Sequence, residues 1–285
     1  MAGTTNQTSC YTQGYSDQTV ATHQLRTAES DAAFLIPHIK KTDRILDVGC
    51  GPGTITTGFA KYAREGTVLG IDVSNEVLAK AKAQAANANI PTEGPGSVSF
   101  AQGNVLEGLA YPDDTFDIIY CAQVLGHFPP PDLPHRALVE MRRVLKPGGI
   151  LATRDAASQH FYPQKLDLDR LWVQNFGRVV RKGERDGEIS GTMMPALFRK
   201  AGFDVDGGKV RIGTASTSYS GSETRKWLAK RTASQLQVGD PFRQSWLNAG
   251  ISEDEIQQTV EAVQKWAETE DAWFAALHCE MLGWK

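Results

Sequence analysis

What most constrains this chain is a rhythm in its first half, where short β-rich runs alternate with helical stretches. Residues 44–48 (RILDV) predict a strand, followed by a glycine loop and a helical stretch at 54–64. Residues 67–71 (TVLGI) predict the next strand, and the alanine-rich 75–87 a helix. Residues 98–102 and 116–121 predict a third and a fourth strand. An amphipathic helix at 133–145 then stops at Lys146-Pro147-Gly148-Gly149, and 150–155 predicts a fifth strand. Strands that alternate with helices join side by side only through crossovers, and those crossovers are right-handed. The helices then cover both faces of a parallel sheet, which is a doubly wound α/β arrangement.

Beyond residue 156 the rhythm changes. Helices are expected at 166–180, 193–201 and 222–232, with a strand-like run at 203–212. Ser252 with Glu255 forms a capping-box pattern that opens a helix reaching about residue 269. Residues 274–284 predict a last edge strand, and 22–39 an N-terminal helical segment. All six tryptophans lie at or after position 172, so the two halves differ in chemistry. Trp266 and Trp273, seven apart, are expected on one buried helical face.

The 285 residues carry 30 Lys+Arg against 33 Asp+Glu, a formal net charge of −3. That balance gives no support for a nucleic-acid or polybasic membrane partner. No apolar run approaches the roughly 20 residues needed to cross a bilayer. The polar N-terminus lacks a signal-peptide pattern, so cytoplasm is the expected compartment. The four cysteines are scattered and read as small hydrophobes rather than a metal cage, and no metal site is expected.

The loop after the first strand reads Asp47-Val48-Gly49-Cys50-Gly51-Pro52-Gly53-Thr54. Its glycines allow a tight turn and close approach of a ligand to the backbone. A dinucleotide fingerprint needs a third glycine where Thr54 stands, and no phosphate-loop Lys-Ser/Thr follows. Asp47 would repel a pyrophosphate, yet it can accept hydrogen bonds from a cationic amino-acid group. Asp72 ends the second strand and can take both hydroxyls of a ribose, two donors meeting two acceptors. Asp72 alone also suits NAD, or the capping of the following helix, although Ser74 competes for that role.

In order along the chain, DVGCGPGT, GID, QGNVL, FDIIYCAQVLGHF and VLKPGG are similar to the motifs of class I S-adenosylmethionine-dependent methyltransferases. The nearest group is the broad ubiquinone/menaquinone-biosynthesis (UbiE-type) set of small-molecule enzymes. The resemblance spans roughly residues 12–150. It implies a Rossmann-like, mostly parallel seven-stranded sheet with a helical cap. The N-terminal segment would cover residues 1–40 and the cofactor core 41–156, with 157–285 completing the sheet and roofing the substrate. It implies S-adenosylmethionine as cofactor and S-adenosylhomocysteine as product. Gly49 and Gly51 would line the methionine portion, with Asp47 near its ammonium. Asp72 with Val73 would hold the ribose, and Asn104 with Val105 the adenine, Asn104 standing where relatives carry Asp. Gln123 would pass the sulfonium, and Tyr15 and Arg26 would close the pocket from the N-terminal side.

Methyl transfer requires alignment first, and a base only when the nucleophile arrives protonated. His127 and His160 are the catalytic candidates, with Asp155, Tyr11 and Tyr15 behind them; His127 also reads as a plain loop hydrogen-bonder. Phe161, Tyr162, Trp172, Tyr219 and Trp246 are candidates to bury an apolar or aromatic substrate. The expected function is methylation of a small, apolar or aromatic metabolite. The alternative is a non-methylating reaction on the same cofactor, such as a cyclisation. A nicotinamide-dependent dehydrogenase is disfavoured by Asp47 and Thr54. The Asn/Asp-Pro-Pro-Tyr pattern of base-amine methylation is missing after the fourth strand, where Tyr120-Cys121-Ala122-Gln123 stands.

Overall fold

The computed structural model describes residues 25–285. Its centre is β1 (Arg44–Val48), whose last four residues are buried because helices cover both sides of it. β1 pairs in parallel with β2 (Thr67–Asp72) and β4 (Phe116–Ala122). β3 (Ser97–Gln102) lies outside β2, and β5 (Leu145–Tyr162) outside β4, both parallel. β7 (Trp273–Trp284) is antiparallel between β5 and β6 (Val210–Tyr219). The order is therefore β3-β2-β1-β4-β5-β7-β6, a seven-stranded and mostly parallel sheet.

One face of the sheet is covered by α1 (Ala28–Asp31), α2 (Thr54–Phe59) and α3 (Asn75–Asn87), whose apolar side chains meet Ile45, Val68 and Phe100. The side-chain oxygen of Ser74 accepts the Val77 N–H and so starts α3. The other face packs against α4 (Asp132–Val144) and α6 (Ser190–Lys200) through Leu138, Met141, Met194 and Phe198. Between α4 and α6 the chain passes through a short π-helical turn (Asp169–Gln174) into α5 (Asn175–Val180). α7 (Ser222–Gln235), α8 (Pro241–Asn248) and α9 (Glu253–Glu268) complete the helices. Of two further apolar clusters, the one around Trp266 joins α7 and α9 to Phe161, Phe274 and Ala276 on β5 and β7, and the one around Trp246 lies among the cap helices.

From β1 to β4 the chain follows the sequence pattern closely, and elsewhere it departs from it in six places. β5 is not confined to 150–155 but continues to Tyr162, because the small and polar residues 156–160 pair with β7 although they carry no apolar alternation. A residue-156 boundary thus falls inside one strand. β6 starts at Val210 instead of residue 203; the Asp204 carboxylate accepts the Gly207 N–H and turns the chain first. The 22–39 stretch holds only α1, with its Thr27 capping box, and a 3-10 turn at Ile36–His38; residues 22–24 lie outside the described part. The helix expected at 166–180 is broken into unlike pieces. Trp266 is buried in α9, but Trp273 is 40% exposed on β7, so the two share no helical face. α8, opened by Pro241 and capped by Asp240, had no periodicity long enough to announce it.

Candidate active site

β5, β7 and β6 outrun the other strands and form a three-stranded antiparallel ribbon beyond the C-terminal edge of the parallel sheet. Ribbon, cap helices and glycine loop enclose a cavity of about 1140 Å³. It runs continuously from Asp47 and Asp72 to Trp172, Tyr219 and Leu228.

At the inner end the loop is held by its own backbone. The Ile71 carbonyl accepts from the N–H groups of Gly49 (2.8 Å) and Cys50 (2.9 Å). Gly49 has φ +73, and a Cβ there would lie 2.3 Å from a Val124 methyl carbon, so this turn requires glycine. The Gly51 N–H donates to Asp72 Oδ2 and the Ser74 N–H to Asp72 Oδ1, both at 3.0 Å. Asp72 therefore faces the cavity with its carboxylate already oriented. Asp47 is 3% exposed, and Thr56 donates a 2.6 Å hydrogen bond to its Oδ2. Burial pushes the Asp47 carboxyl up to about 7, opposed by the Thr56 hydrogen bond and reinforced by the Asp72 charge. No cation pairs with Asp47 among the described residues.

Val73, Asn104, Val105 and Gln123 also border the cavity, as does Arg26 from the N-terminal side. Asn104 is already engaged: its Oδ1 accepts the Leu106 N–H and its Nδ2 donates to Glu107 Oε1, each at 3.0 Å. The second lone pair of that Oδ1 and the second N–H of Nδ2 are left for a ligand. Gln123 adopts φ +57, and its N–H donates to the Arg154 carbonyl at 2.8 Å, which ties the β4 loop to β5. Tyr11 and Tyr15 lie outside the described residues.

The two candidate histidines occupy different settings. His127 lines the cavity in the turn after β4, where burial and the charges of Arg26 and Arg231 bring it down to about 4. It is a neutral imidazole at physiological pH. His160 is half-exposed, and its Nδ1 lies 2.9 Å from Asp169 Oδ2. Strand parity puts it with Tyr162 on the outer side of β5, whereas Phe161 points inward against Phe274 and Trp266. His160 reaches the cavity only at its rim, so it does not sit beside His127. Asp155 is not among the residues that border the cavity; its Oδ1 accepts the Gly126 N–H at 2.9 Å, and burial pushes it up to about 7.

Among the proposed roof aromatics, Phe161, Trp172 and Tyr219 border the cavity. Tyr162 instead stacks on Trp273 outside it at 4.3 Å, and Trp246 is fully buried against Trp172 and Phe242.

Sequence reasoning passed over a charged floor. Arg154, 3% exposed, donates to Asp31 (2.9 Å) and Glu280 (3.2 Å), and the Tyr120 hydroxyl donates to the Asp31 carbonyl at 2.9 Å. This triad fastens α1 to β5 and β7 beneath the cavity. The available signal was a charge inside an apolar strand, in LATRDA and in LHCEML, since a buried charge needs a partner. His278, beside it on β7, was passed over as well. No group of three His, Cys, Asp or Glu side chains suited to a metal ion occurs among the described residues. No helix among them is long and apolar enough to cross a membrane.

Comparison with known proteins bears on this geometry. The sequence model of the family described as "Methyltransferase domain" matches residues 45–149. "Probable methyltransferase ltbC" of Aspergillus luteorubrus is 67% identical over 282 residues, which cover 99% of each chain. A "Ubiquinone/menaquinone biosynthesis C-methyltransferase UbiE" of Vibrio vulnificus is 36% identical over 188 residues, covering 59% of this chain and 69% of that one. Among solved structures, the YcgJ protein of Bacillus subtilis superposes with a TM-score of 0.57 at 21% identity, covering 90% of this chain and 97% of that one. That last likeness concerns the fold.

Proposed function

The chain belongs to the class I S-adenosylmethionine-dependent methyltransferases, and from that premise we propose that it methylates a small, largely apolar or aromatic metabolite. The supporting observation is the cavity itself. At about 1140 Å³ it exceeds the roughly 300–1,000 Å³ of a usual ligand pocket. It also changes character along its length, from backbone and carboxylates at the glycine loop to aromatic side chains under the cap.

The inner end suits the cofactor on chemical grounds. Asp47 is a buried carboxylate without a cationic partner among the described residues, and an ammonium group would supply one. Asp72, oriented by the Gly51 and Ser74 N–H groups, would receive a ribose diol. Gly49 and Gly51 would let the methionine portion lie against the main chain, with Val73, Asn104 and Val105 along the adenine. Gln123 would face the sulfonium region, and Arg26 would close the N-terminal side with Tyr15. When bound, S-adenosylmethionine supplies a methyl carbon that is already electrophilic.

The work left to the protein is to hold the acceptor in line and keep water out, which alone is worth several kcal/mol. We assign the ribbon and cap, within residues 157–285, to the choice of acceptor. His127 serves as a neutral hydrogen-bonding group in the wall. His160, set outward and paired with Asp169, serves at the rim rather than at the reacting atom. The UbiE-type grouping carries over only as far as a small-molecule acceptor, and the reading needs neither nucleic acid nor membrane as partner.

Calorimetry with S-adenosylmethionine, followed by an acceptor panel read out as S-adenosylhomocysteine, tests this reading. Saturable cofactor binding and turnover with apolar or aromatic acceptors are expected. Failure to bind the cofactor sinks it. An acceptor that rearranges while the cofactor stays intact would point to non-methylating chemistry instead.

A further inference from the structure

Along the ribbon, β7 presents Phe274, Ala276 and His278 to the cavity, while Trp273 and Leu277 face outward. β5 and β6 add Phe161, Thr217 and Tyr219 to the inner face. In this mostly apolar wall His278 is the basic side chain, and it is only 5% exposed. Its strand neighbours are Ala156 on β5 and Ala215 on β6, both small, so no side chain covers the ring from either strand. The Nδ1 atom is buried and makes no hydrogen bond of ordinary geometry among the described residues, while the Ala215 backbone interacts with the ring. The imidazole itself borders the cavity, so a ligand can pair with the ring nitrogen that the Ala215 backbone does not engage.

The place of the residue supports the same conclusion. His278 lies two residues before Glu280, level with Ala156 and just beyond the Arg154–Asp31–Glu280 triad. It is therefore past the C-terminal edge of the parallel strands, on the cap side of the cavity rather than at the glycine loop. Burial, with the charges of Arg154 and Arg26, brings the imidazole down to about 4 against the opposing Asp31 charge and Ala215 backbone, so it is neutral: its one N–H can serve the Ala215 carbonyl and its other nitrogen remains an acceptor. A base of that strength is mismatched to pulling a proton from an alcohol or phenol, but it suits a recognition contact.

We propose that the His278 imidazole recognises the acceptor substrate by taking a hydrogen bond from a hydroxyl or amine N–H on an otherwise apolar molecule. This deepens the reading given under Proposed function and rests on it. The substrate class narrows from apolar or aromatic compounds to those that carry a donor group, such as phenols, alcohols and aryl amines. A site that offers a buried acceptor discriminates against analogues lacking the donor, because the nitrogen is then left dry and unpaired.

The test uses the full-length protein loaded with S-adenosylhomocysteine and a matched pair of probes, 2-naphthol and 2-methoxynaphthalene. The wild type should bind the naphthol about three- to tenfold more tightly, the range of one neutral hydrogen bond. His278→Leu should erase that preference, and His278→Asn, which keeps an acceptor, should retain part of it. In the wild type, the His278 ring ¹⁵N signals, assigned by their loss in the Asn variant, should move with the naphthol and stay with the ether. Equal affinity for the two probes, affinity for neither, still ring signals, or a preference that survives in His278→Leu overturns the proposal. A wild type that fails to take up S-adenosylhomocysteine in the loading step would instead remove the cofactor reading beneath it. The two failures are thereby told apart.

Discussion

The two ends of the cavity are built by opposite means. Around β1 and β2 the site is mostly main chain: a loop of positive-φ glycines, N–H groups that orient Asp72, and two acids at strand ends. Under the ribbon and cap it is mostly side chain, with Phe161, Trp172, Tyr219, Leu228 and Phe274 forming the walls. Backbone geometry tolerates little change, because a glycine turn either forms or clashes. Side-chain walls can be resized without refolding the sheet. A scaffold divided in this way can keep one cofactor while its acceptor changes.

Breaking the floor that joins the two ends should have the largest effect. Arg154→Met would leave Asp31 and Glu280 buried without their cation, and urea unfolding should register a loss of about 3–5 kcal/mol. Gly49→Ala comes next, since it meets Val124 and must hold a positive φ. About 2–3 kcal/mol should be lost in the same assay, together with most cofactor affinity.

A smaller effect comes from pH. Asp47 is raised to about 7 in the free protein and must be ionised to pair with an ammonium group. Its raised value means that the free folded state holds this proton up to about pH 7 while the unfolded state sheds it near the ordinary carboxylate value. The group therefore favours folding below its unfolded pKa, and that contribution is lost as pH rises through about 7. Cofactor binding runs the other way: the affinity for S-adenosylmethionine should climb by up to about tenfold per unit below pH 7 and level off above it. Calorimetry across pH 5.5–8.5 (a span of about three units) reads this directly, and Asp47→Asn should flatten the profile. A flat wild-type profile would show that Asp47 does not face the cation.

The main-chain end was largely legible in the sequence, and the side-chain end largely was not. β1 and α3 fall where the pattern of RILDV and the Ser74 cap put them, because local sequence dictates both. Asp47, Asp72, Gly49 and Gly51 border the cavity. The continuation of β5 through Ala156–Tyr162 escaped notice because its pairing energy comes from β7, more than a hundred residues later. Without that extension, His160 read as a catalytic candidate after the fifth strand; the strand's alternation turns it outward. The Arg154 triad was missed for the same reason, since its members come from three elements far apart in the chain.

The central claim, one cofactor end and one acceptor end, is tested most directly by calorimetry on two variants side by side. Asp72→Ala removes a carboxylate and should weaken S-adenosylmethionine binding by about 1.5–3 kcal/mol per charged hydrogen bond lost, roughly ten- to 150-fold. Trp172→Ala changes only the cap wall and should leave that affinity within about twofold, while turnover of any acceptor used by the wild type falls sharply. Cofactor affinity that ignores Asp72 or collapses with Trp172 would contradict the division on which the account depends.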